Sequence, residues 1–166
     1  MLQDAYLEVM IKKKTGIPVG PVRIVCVTLA VLFALAGVMG IWPGLIGALI
    51  FGVGAVLIGQ LGEVEYEYIY VDRELQIDKI MGKSRRKRLE TLDLNGMEIL
   101  APVKSHFLDS YRNGNYRKSD YSSGVEEQPD VRYALYMNGG RMILFEPGDK
   151  MVKLIQSFAP RKVFTY

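Results

Sequence analysis

Histidine and cysteine are almost absent from this chain, and their scarcity excludes several kinds of site. The 166 residues contain one histidine, His106, and one cysteine, Cys26. A zinc site draws about four donors mainly from these residue types, so we expect no metal site of this kind. Cys26 has no partner for an intramolecular disulfide and is interpreted as a small apolar filler. We predict no metal, no cofactor and no catalytic residue.

A hydrolase that uses His106 as its base is the enzymatic alternative. Ser105 is adjacent, but neighbouring residues on a helix or strand do not face each other, and no nucleophile motif surrounds the pair. A surface or partly packed histidine is the simpler interpretation. The sequence therefore predicts that the protein is not an enzyme.

Charge is missing from a long stretch of the chain. Residues 24–62 contain no ionisable side chain except Cys26, and Trp42-Pro43-Gly44 interrupts the run. A membrane-spanning helix needs roughly 20 apolar residues, and proline beside glycine favours a reversal. The run therefore predicts a transmembrane helical hairpin with helices over 24–41 and 45–61. A cleaved signal peptide fits less well, because the basic leader is too long and the interruption is no small-residue cleavage site.

The basic residues beside the two helices predict their orientation. Lysine and arginine close to the helix ends favour the cytoplasmic side, and the connecting turn carries neither. Both termini are therefore expected in the cytoplasm. Because no ionisable residue other than Cys26 lies inside the spans, a transporter is not expected. The flanking cations are Lys12, Lys13, Lys14, Arg23, Arg73 and Lys79.

Small residues recur along the second predicted helix at a spacing of four. Such ridges let helix backbones approach closely in lipid. They are interpreted first as the contact that holds the hairpin together, and second as a face that pairs with another copy of the protein. The residues are Gly44, Ala48, Gly52, Ala55 and Gly59.

The first 23 residues are predicted to be an amphipathic helix over 2–13 followed by a basic linker. Ala5, Tyr6, Val9 and Met10 would share one side at helical spacing. Such a helix could lie along the membrane surface or pack on the rest of the protein.

After residue 62 the pattern changes from helical to alternating, so residues 63–166 are predicted to be a separate cytoplasmic β domain. Tight-turn sequences separate the strands, such as Asn95-Gly96 and Asn138-Gly139-Gly140. An apolar helical face over 149–158, stopped by Pro160, closes the domain. The strands are predicted at 64–71, 74–80, 86–94, 97–103, 131–137 and 141–145.

This arrangement of hairpins and a closing helix resembles the bacterial pleckstrin-homology-like (PH-like) domains found behind membrane helices. The resemblance lies in residues 66–80, the basic strand 86–94 and the helix 149–158. It is similar in layout to a family of small bacterial membrane proteins. The resemblance implies an α+β membrane protein: an N-terminal transmembrane hairpin followed by an antiparallel PH-like domain closed by a C-terminal helix.

Residues 104–130 form a segment longer than expected between strands. A short helix is predicted over 105–112, and the remainder is polar with Tyr116 and Tyr121 spaced through it. The segment is interpreted either as a surface excursion ordered by its tyrosines or as a contact loop.

Five cations are concentrated within six positions about 20 residues after the second helix. Anionic lipid headgroups would be the nearest counter-charge, worth roughly 1 kcal/mol per basic residue near the surface. The alternatives are an acidic protein partner, or a purely topological role in keeping the domain inside. Nucleic acid is not expected, because the tyrosines of 66–70 lie among acidic residues. The predicted contact residues are Lys83, Arg85, Arg86, Lys87 and Arg88.

The sequence therefore predicts a membrane-anchored PH-like binding or adaptor protein without catalytic activity. Its partners would be the lipid bilayer, acidic lipid, a protein partner or a second copy. An accessory subunit of a larger membrane complex, which uses the hairpin for assembly, is the alternative.

Overall fold

The described residues form two compact units that interleave along the chain. A computed structural model describes residues 6–14, 19–62, 64–82, 85–125 and 131–165. The sheet unit draws on Met1–Lys14, Glu65–Ile80 and Arg86–Tyr166. The helical unit draws on Thr15–Val64 and Met81–Arg85. The helical unit is therefore inserted within the sequence of the sheet unit.

The helical unit consists of two antiparallel helices, α1 (Val19–Val38) and α2 (Pro43–Gly62). Each is long and apolar enough to cross a membrane, by length and composition. α1 both begins and ends earlier than the predicted 24–41. Gly40 takes a left-handed φ of +96° after α1, and the Ile41 N–H donates to the Ala36 carbonyl oxygen at 3.1 Å. Such a glycine ends a helix without a Cβ clash.

α1 and α2 pack closely near the turn because glycine removes side-chain bulk there. A Cβ built on Gly44 would lie 2.6 Å from the Phe33 carbonyl oxygen and 2.8 Å from the Gly37 nitrogen. Both neighbours are backbone atoms, so alanine at this position would force the helices apart. Phe33 also stacks on Phe51, with ring centroids 5.5 Å apart.

The predicted N-terminal helix is wrong over its described residues, because Leu7–Lys12 is a strand, β1. Leu7, Val9 and Ile11 are half-buried and alternate with exposed residues, which is the period of a strand. β1 pairs antiparallel with the strand that follows the helices, from Leu7 opposite Tyr70 to Lys12 opposite Glu65. The tertiary pairing decides the conformation of this segment. Residues 2–5 of the predicted helix lie outside the described residues.

The first sheet has the strand order β1-β2-β3-β4. Its later strands are β2 (Val64–Val71), β3 (Glu74–Met81) and β4 (Arg85–Asp93). Asp72 and Arg73 connect β2 to β3 with φ of +44° and +70°. Positive φ at both central residues is the backbone of the tightest hairpin turn, and this two-residue loop sets Glu67 opposite Asp78.

The second sheet has the order β5-β7-β8-β6 and includes one parallel pair. β7 (Tyr133–Met137) and β8 (Arg141–Phe145) form the predicted hairpin, which is confirmed. β5 (Met97–Pro102) pairs antiparallel with β7. β6 (Arg117–Asp120) lies within the segment predicted to be a loop and pairs parallel with β8. The prediction of a purely antiparallel domain is therefore wrong at this edge.

β4 and β5 belong to different sheets, although Asn95-Gly96 predicted a tight turn between neighbouring strands. The turn is present as a single 3-10 turn over Leu94–Gly96, capped by Asp93, whose carboxylate accepts from the Asn95 N–H at 2.9 Å. Leu92 and Leu94 on either side of Asp93 are buried, whereas Asp93 and Asn95 are exposed, so the connection between the two sheets runs at the surface and places two leucine side chains in the core.

The core of the sheet unit lies between the two sheets and under α4 (Gly148–Phe158). Tyr68 from β2 meets Phe145 from β8 edge to face, with ring centroids 5.5 Å apart. α4 buries one apolar face, as its helical spacing predicted, and the helix is confirmed. The largest fully buried side chains include Tyr68, Leu75, Ile77, Leu92, Leu100, Leu135, Ile143, Phe145 and Met151.

The back of the second sheet carries a smaller core that is covered by the long segment after β5. This segment contains a 3-10 turn at His106–Leu108 and α3 (Asp109–Arg112). Leu108 is 1% exposed and packs with Ile99, Ala101 and Tyr136. The segment is thus a covering layer that lets the sheet be apolar on both faces.

Candidate functional site

Basic residues from two distant parts of the sequence lie at the same end of the first sheet, along its two outer strands. Because β2 and β3 form a hairpin, β4 begins near the end of the sheet where β2 begins. β1 ends there too, since Lys12 lies opposite Glu65. We call the resulting group of cations the basic rim. It consists of Lys12, Lys13, Lys14, Arg86, Lys87 and Arg88, all of them exposed.

Two arginines of the basic rim are held by buried carboxylates of the same sheet. Arg86 Nη2 donates to Glu67 Oε1 at 2.7 Å, and Arg88 Nε donates to Asp78 Oδ1 at 3.2 Å. The carboxylate side chains are 1% and 2% exposed, whereas both arginines are 56% exposed. These two cations offset buried negative charge, and removing either would leave a carboxylate without its partner.

The other predicted contact residues have different surroundings. Arg85 and Lys87 are exposed, and neither has an acidic partner among the described residues. Lys83 lies outside the described residues. The predicted cluster therefore divides into paired arginines and unpaired cations, with only the unpaired ones fully available to an external anion.

Three lysines at the end of β1 and directly after it extend the site beyond the predicted cluster. Lys12 Nζ lies 3.7 Å from Glu65 Oε1, and Lys13 Nζ lies 5.6 Å from the centre of the Tyr66 ring. The Lys14 N–H donates to the Ser123 carbonyl oxygen at 2.7 Å, but its ammonium is unpaired among the described residues. The sequence predicted these lysines only as orientation signals, because a helical interpretation of 2–13 separated them from the sheet.

Glu8 and Glu67 form a carboxyl pair beside the paired arginine Arg86. Burial raises the pKa of Glu67, and the neighbouring carboxyl group of Glu8 raises it further. The hydrogen bond from the Tyr6 hydroxyl to Glu8 Oε2, 2.7 Å long, lowers the pKa of Glu8. The two pKa values therefore move in opposite directions, so Glu67 takes up a proton more readily than Glu8 does.

The small residues of α2 do not share one role. Gly44 contacts the α1 backbone, and Ala55 is 4% exposed. A Cβ built on Gly59 would lie 3.4 Å from the guanidinium of Arg23. Ala48 and Gly52 line an open groove, to which Ala55 also contributes, and a Cβ on Gly52 would meet nothing within 4 Å. The small residues of α2 thus hold the two helices together near the turn, at Gly44, and leave an open surface in the middle of the helix.

The enzymatic alternative gains no support from the surroundings of His106. Its ring lies against Phe107, with centroids 4.0 Å apart, in the layer that covers the second sheet. Within the described part of the chain, no group of three or more histidine, cysteine, aspartate or glutamate residues could hold a metal ion.

Two four-stranded sheets, a closing C-terminal helix and a basic sheet end define a PH-like module that carries a pair of apolar helices. The chain belongs to the bacterial PH-like domain family (DUF6106), whose family model matches residues 3–165. This match includes β1 and both helices, so the interleaved arrangement is part of the family match, and the predicted resemblance is confirmed.

A PH-like fold indicates a binding or adaptor module of the kind that is generally not catalytic. No curated protein and no solved structure matches the chain.

Proposed function

We propose that this protein is a bacterial inner-membrane binding module. α1 and α2 anchor it in the bilayer, and the basic rim contacts anionic headgroups on the cytoplasmic face. It acts as an adaptor without catalytic activity.

The membrane anchor is supported by the composition and exposure of the helices. α1 has no buried residue, and most of its large apolar side chains are exposed, among them Ile24, Leu32 and Leu35. A water-soluble protein rarely exposes so continuous an apolar surface. Lipid would cover it, and the apolar faces of α2 in the same way.

The position of the basic rim carries the lipid part of the proposal. The chain leaves the first sheet for α1 shortly after Lys14, and it returns from α2 into β2 at Val64. Both connections belong to the sheet end that bears the basic rim. The chain from Lys14 to Val19 can span at most about 18 Å, so if the helices lie in the bilayer, the nearest cations of the basic rim stay within reach of the headgroups, where each contributes roughly 1 kcal/mol.

The anchor and its orientation are tested in the native cell membrane. We expect the full-length protein to stay in the membrane pellet after alkaline carbonate washing, because two apolar helices do not leave lipid. We also expect a C-terminal epitope to resist protease added outside spheroplasts and to be cleaved after lysis. Recovery in the carbonate supernatant, or digestion in intact spheroplasts, would contradict the proposal.

Headgroup binding is tested with a chain that lacks the helices. In this variant, here named the joined chain, Lys14 is linked to Val64 through Gly-Ser-Gly-Gly. We expect it to sediment with phosphatidylglycerol vesicles at low salt and to dissociate as salt rises, because screening weakens exposed charge contacts. Lys14→Glu with Lys87→Glu should lower the affinity about thirtyfold, from roughly 1 kcal/mol for each lost cation.

The matched control reverses two lysines elsewhere in the sheet unit. Lys150 and Lys153 are exposed on α4, so Lys150→Glu with Lys153→Glu makes the same change in net charge. If both pairs weaken binding equally, net charge rather than the basic rim is responsible. Equal sedimentation with phosphatidylcholine vesicles would point to a protein partner instead of acidic lipid.

A further inference from the structure

An open groove runs between α1 and α2, inside the helical unit. Its volume is about 370 Å³, and its walls are small or β-branched apolar side chains with one cation, Arg23. Besides Arg23, its principal lining residues are Ala30 and Ala34 from α1 and Ala48, Gly52 and Val56 from α2.

The groove has the length of a single leaflet. Its lining runs along α1 from Arg23 to Ala34, and eleven steps of about 1.5 Å give roughly 16 Å. The hydrocarbon core of a bilayer is about 30 Å thick, so the groove would span about half of it. A groove of this length fits one acyl chain better than a complete membrane-spanning helix.

Arg23 places positive charge at the end of the groove that would face the headgroups. It lies in the second turn of α1, and its guanidinium lies over Gly59 of α2, where the absence of a side chain leaves room. No carboxylate within the described residues pairs with it. An arginine in this position can bind a phosphate with two hydrogen bonds.

We propose that the groove binds one acyl chain of an anionic phospholipid, whose phosphate is bound by Arg23. This inference rests on the membrane insertion proposed above, and it adds a specific lipid site separate from the basic rim. A second copy in the same orientation would bring its own Arg23 to the same depth. The charge at the groove end therefore favours lipid phosphate over a second copy.

Gly52 and Gly54 provide a matched pair of substitutions. Neither glycine has an atom within 4 Å of a built Cβ, but only Gly52 lines the groove. Gly52→Leu therefore fills the groove, whereas Gly54→Leu adds the same bulk to a surface outside it. Arg23→Gln removes the phosphate contact and leaves the groove open.

The experiment measures lipid that stays bound to the full-length protein. The protein is purified in mild detergent, supplied with phosphatidylglycerol and examined by native mass spectrometry. We expect one retained phosphatidylglycerol per chain in the natural protein and in Gly54→Leu, and loss of that lipid in Gly52→Leu. Arg23→Gln should reduce its affinity about fivefold, from the roughly 1 kcal/mol contributed by one cation.

The outcomes separate this inference from the proposed function. Retention that is equal in Gly52→Leu and Gly54→Leu would overturn the groove site, even if carbonate washing confirms the anchor. A dimer that Gly52→Leu abolishes would identify the groove as an interface between copies and would also overturn it. Recovery of the natural protein in the carbonate supernatant would overturn both proposals. Arg23→Gln fills no space, so it tests the site even if Gly52→Leu fails to fold.

Discussion

At the scale of single residues, the basic strand combines structural cations with free ones. Arg86 and Arg88 belong to the internal charge balance of the sheet, whereas Arg85 and Lys87 have no acidic partner among the described residues. A cluster that looks uniform in sequence therefore contains two kinds of cation. Substitutions at neighbouring positions should separate stability from binding.

The first prediction concerns this difference in the joined chain. Arg86→Ala removes the donor to the buried Glu67 carboxyl group and should lower the free energy of unfolding by about 1.5 kcal/mol, the lower part of the range for charged hydrogen bonds, because Arg86 is half-exposed. Arg85→Ala should change it by less than about 0.5 kcal/mol. Urea unfolding, followed by circular dichroism, measures the change in the free energy of unfolding for each of the two variants.

A double-mutant cycle provides the control for this pair. In a Glu67→Leu background no carboxylate needs a donor, so Arg86→Ala should then cost almost nothing. An equal cost in both backgrounds would show that Arg86 stabilises the sheet through packing rather than through Glu67.

The carboxyl pair predicts a pH dependence of stability. Glu67 has a folded pKa above the usual value of 4.5, so the folded state binds more protons than the unfolded state just above that pH. The stability that Glu67 contributes is therefore fully present below pH 4.5 and is lost as the pH rises through the folded pKa of Glu67. Glu8, with a lowered pKa, contributes stability above 4.5 that is lost as pH falls through its folded pKa.

Glu67→Gln tests this sign, because glutamine keeps a donor toward Glu8 without ionising. The urea midpoint is measured over a pH series for the joined chain with Glu67 and for its Glu67→Gln variant. Above about pH 4.5, the chain with Glu67 should lose stability relative to the variant. Parallel curves for the two chains would mean that folding does not raise the pKa of Glu67.

At the scale of elements, the layer after β5 explains why the second sheet is apolar on both faces. Leu108 lies at the centre of this layer and is 1% exposed. Leu108→Ala should lower the free energy of unfolding of the joined chain by about 3 kcal/mol, through lost burial and a cavity. Ser110→Ala, at an exposed position of α3, is the control and should be nearly neutral. Urea unfolding measures both variants, and equal urea midpoints for Leu108→Ala and Ser110→Ala would show that the layer does not contribute to the core.

The sequence predicted the elements whose signals are local. The two apolar helices, the β7–β8 hairpin and α4 all follow from spacing, turn residues and a proline stop. β1 was missed because Val9 and Met10 also fit a helical face, and only pairing with β2 decides between the two periods. β6 was missed because Arg117–Asp120 is polar and becomes a strand through its partner β8.

The site was predicted only in part for the same reason. Its cations after residue 82 were found as a charge run, but the lysines at and after the end of β1 lie at the same end of the sheet only through a strand pairing that no local pattern reveals. The buried positions of Glu67 and Asp78, which divide the arginines from the free cations, follow from the β2–β3 register.

At the scale of the whole molecule, β1 makes the sheet unit discontinuous in sequence. The chain of residues 63–166 lacks β1 and should fail to fold, because β2 would lose the partner that covers its edge. The joined chain restores this partner through a short hairpin loop and should unfold cooperatively. Circular dichroism and urea unfolding compare the two. A stable, cooperative 63–166 chain would contradict an essential role for β1.

The interleaved order also constrains the timing of biosynthesis. Lys12 leaves the ribosome well before its partner Glu65, because the whole apolar hairpin is made between them. At about 5 to 20 residues per second, β1 waits several seconds for β2. Both apolar helices are therefore complete before the sheet unit can close, so β1 stays an unpaired strand on the nascent chain during this interval and is exposed to quality-control proteases.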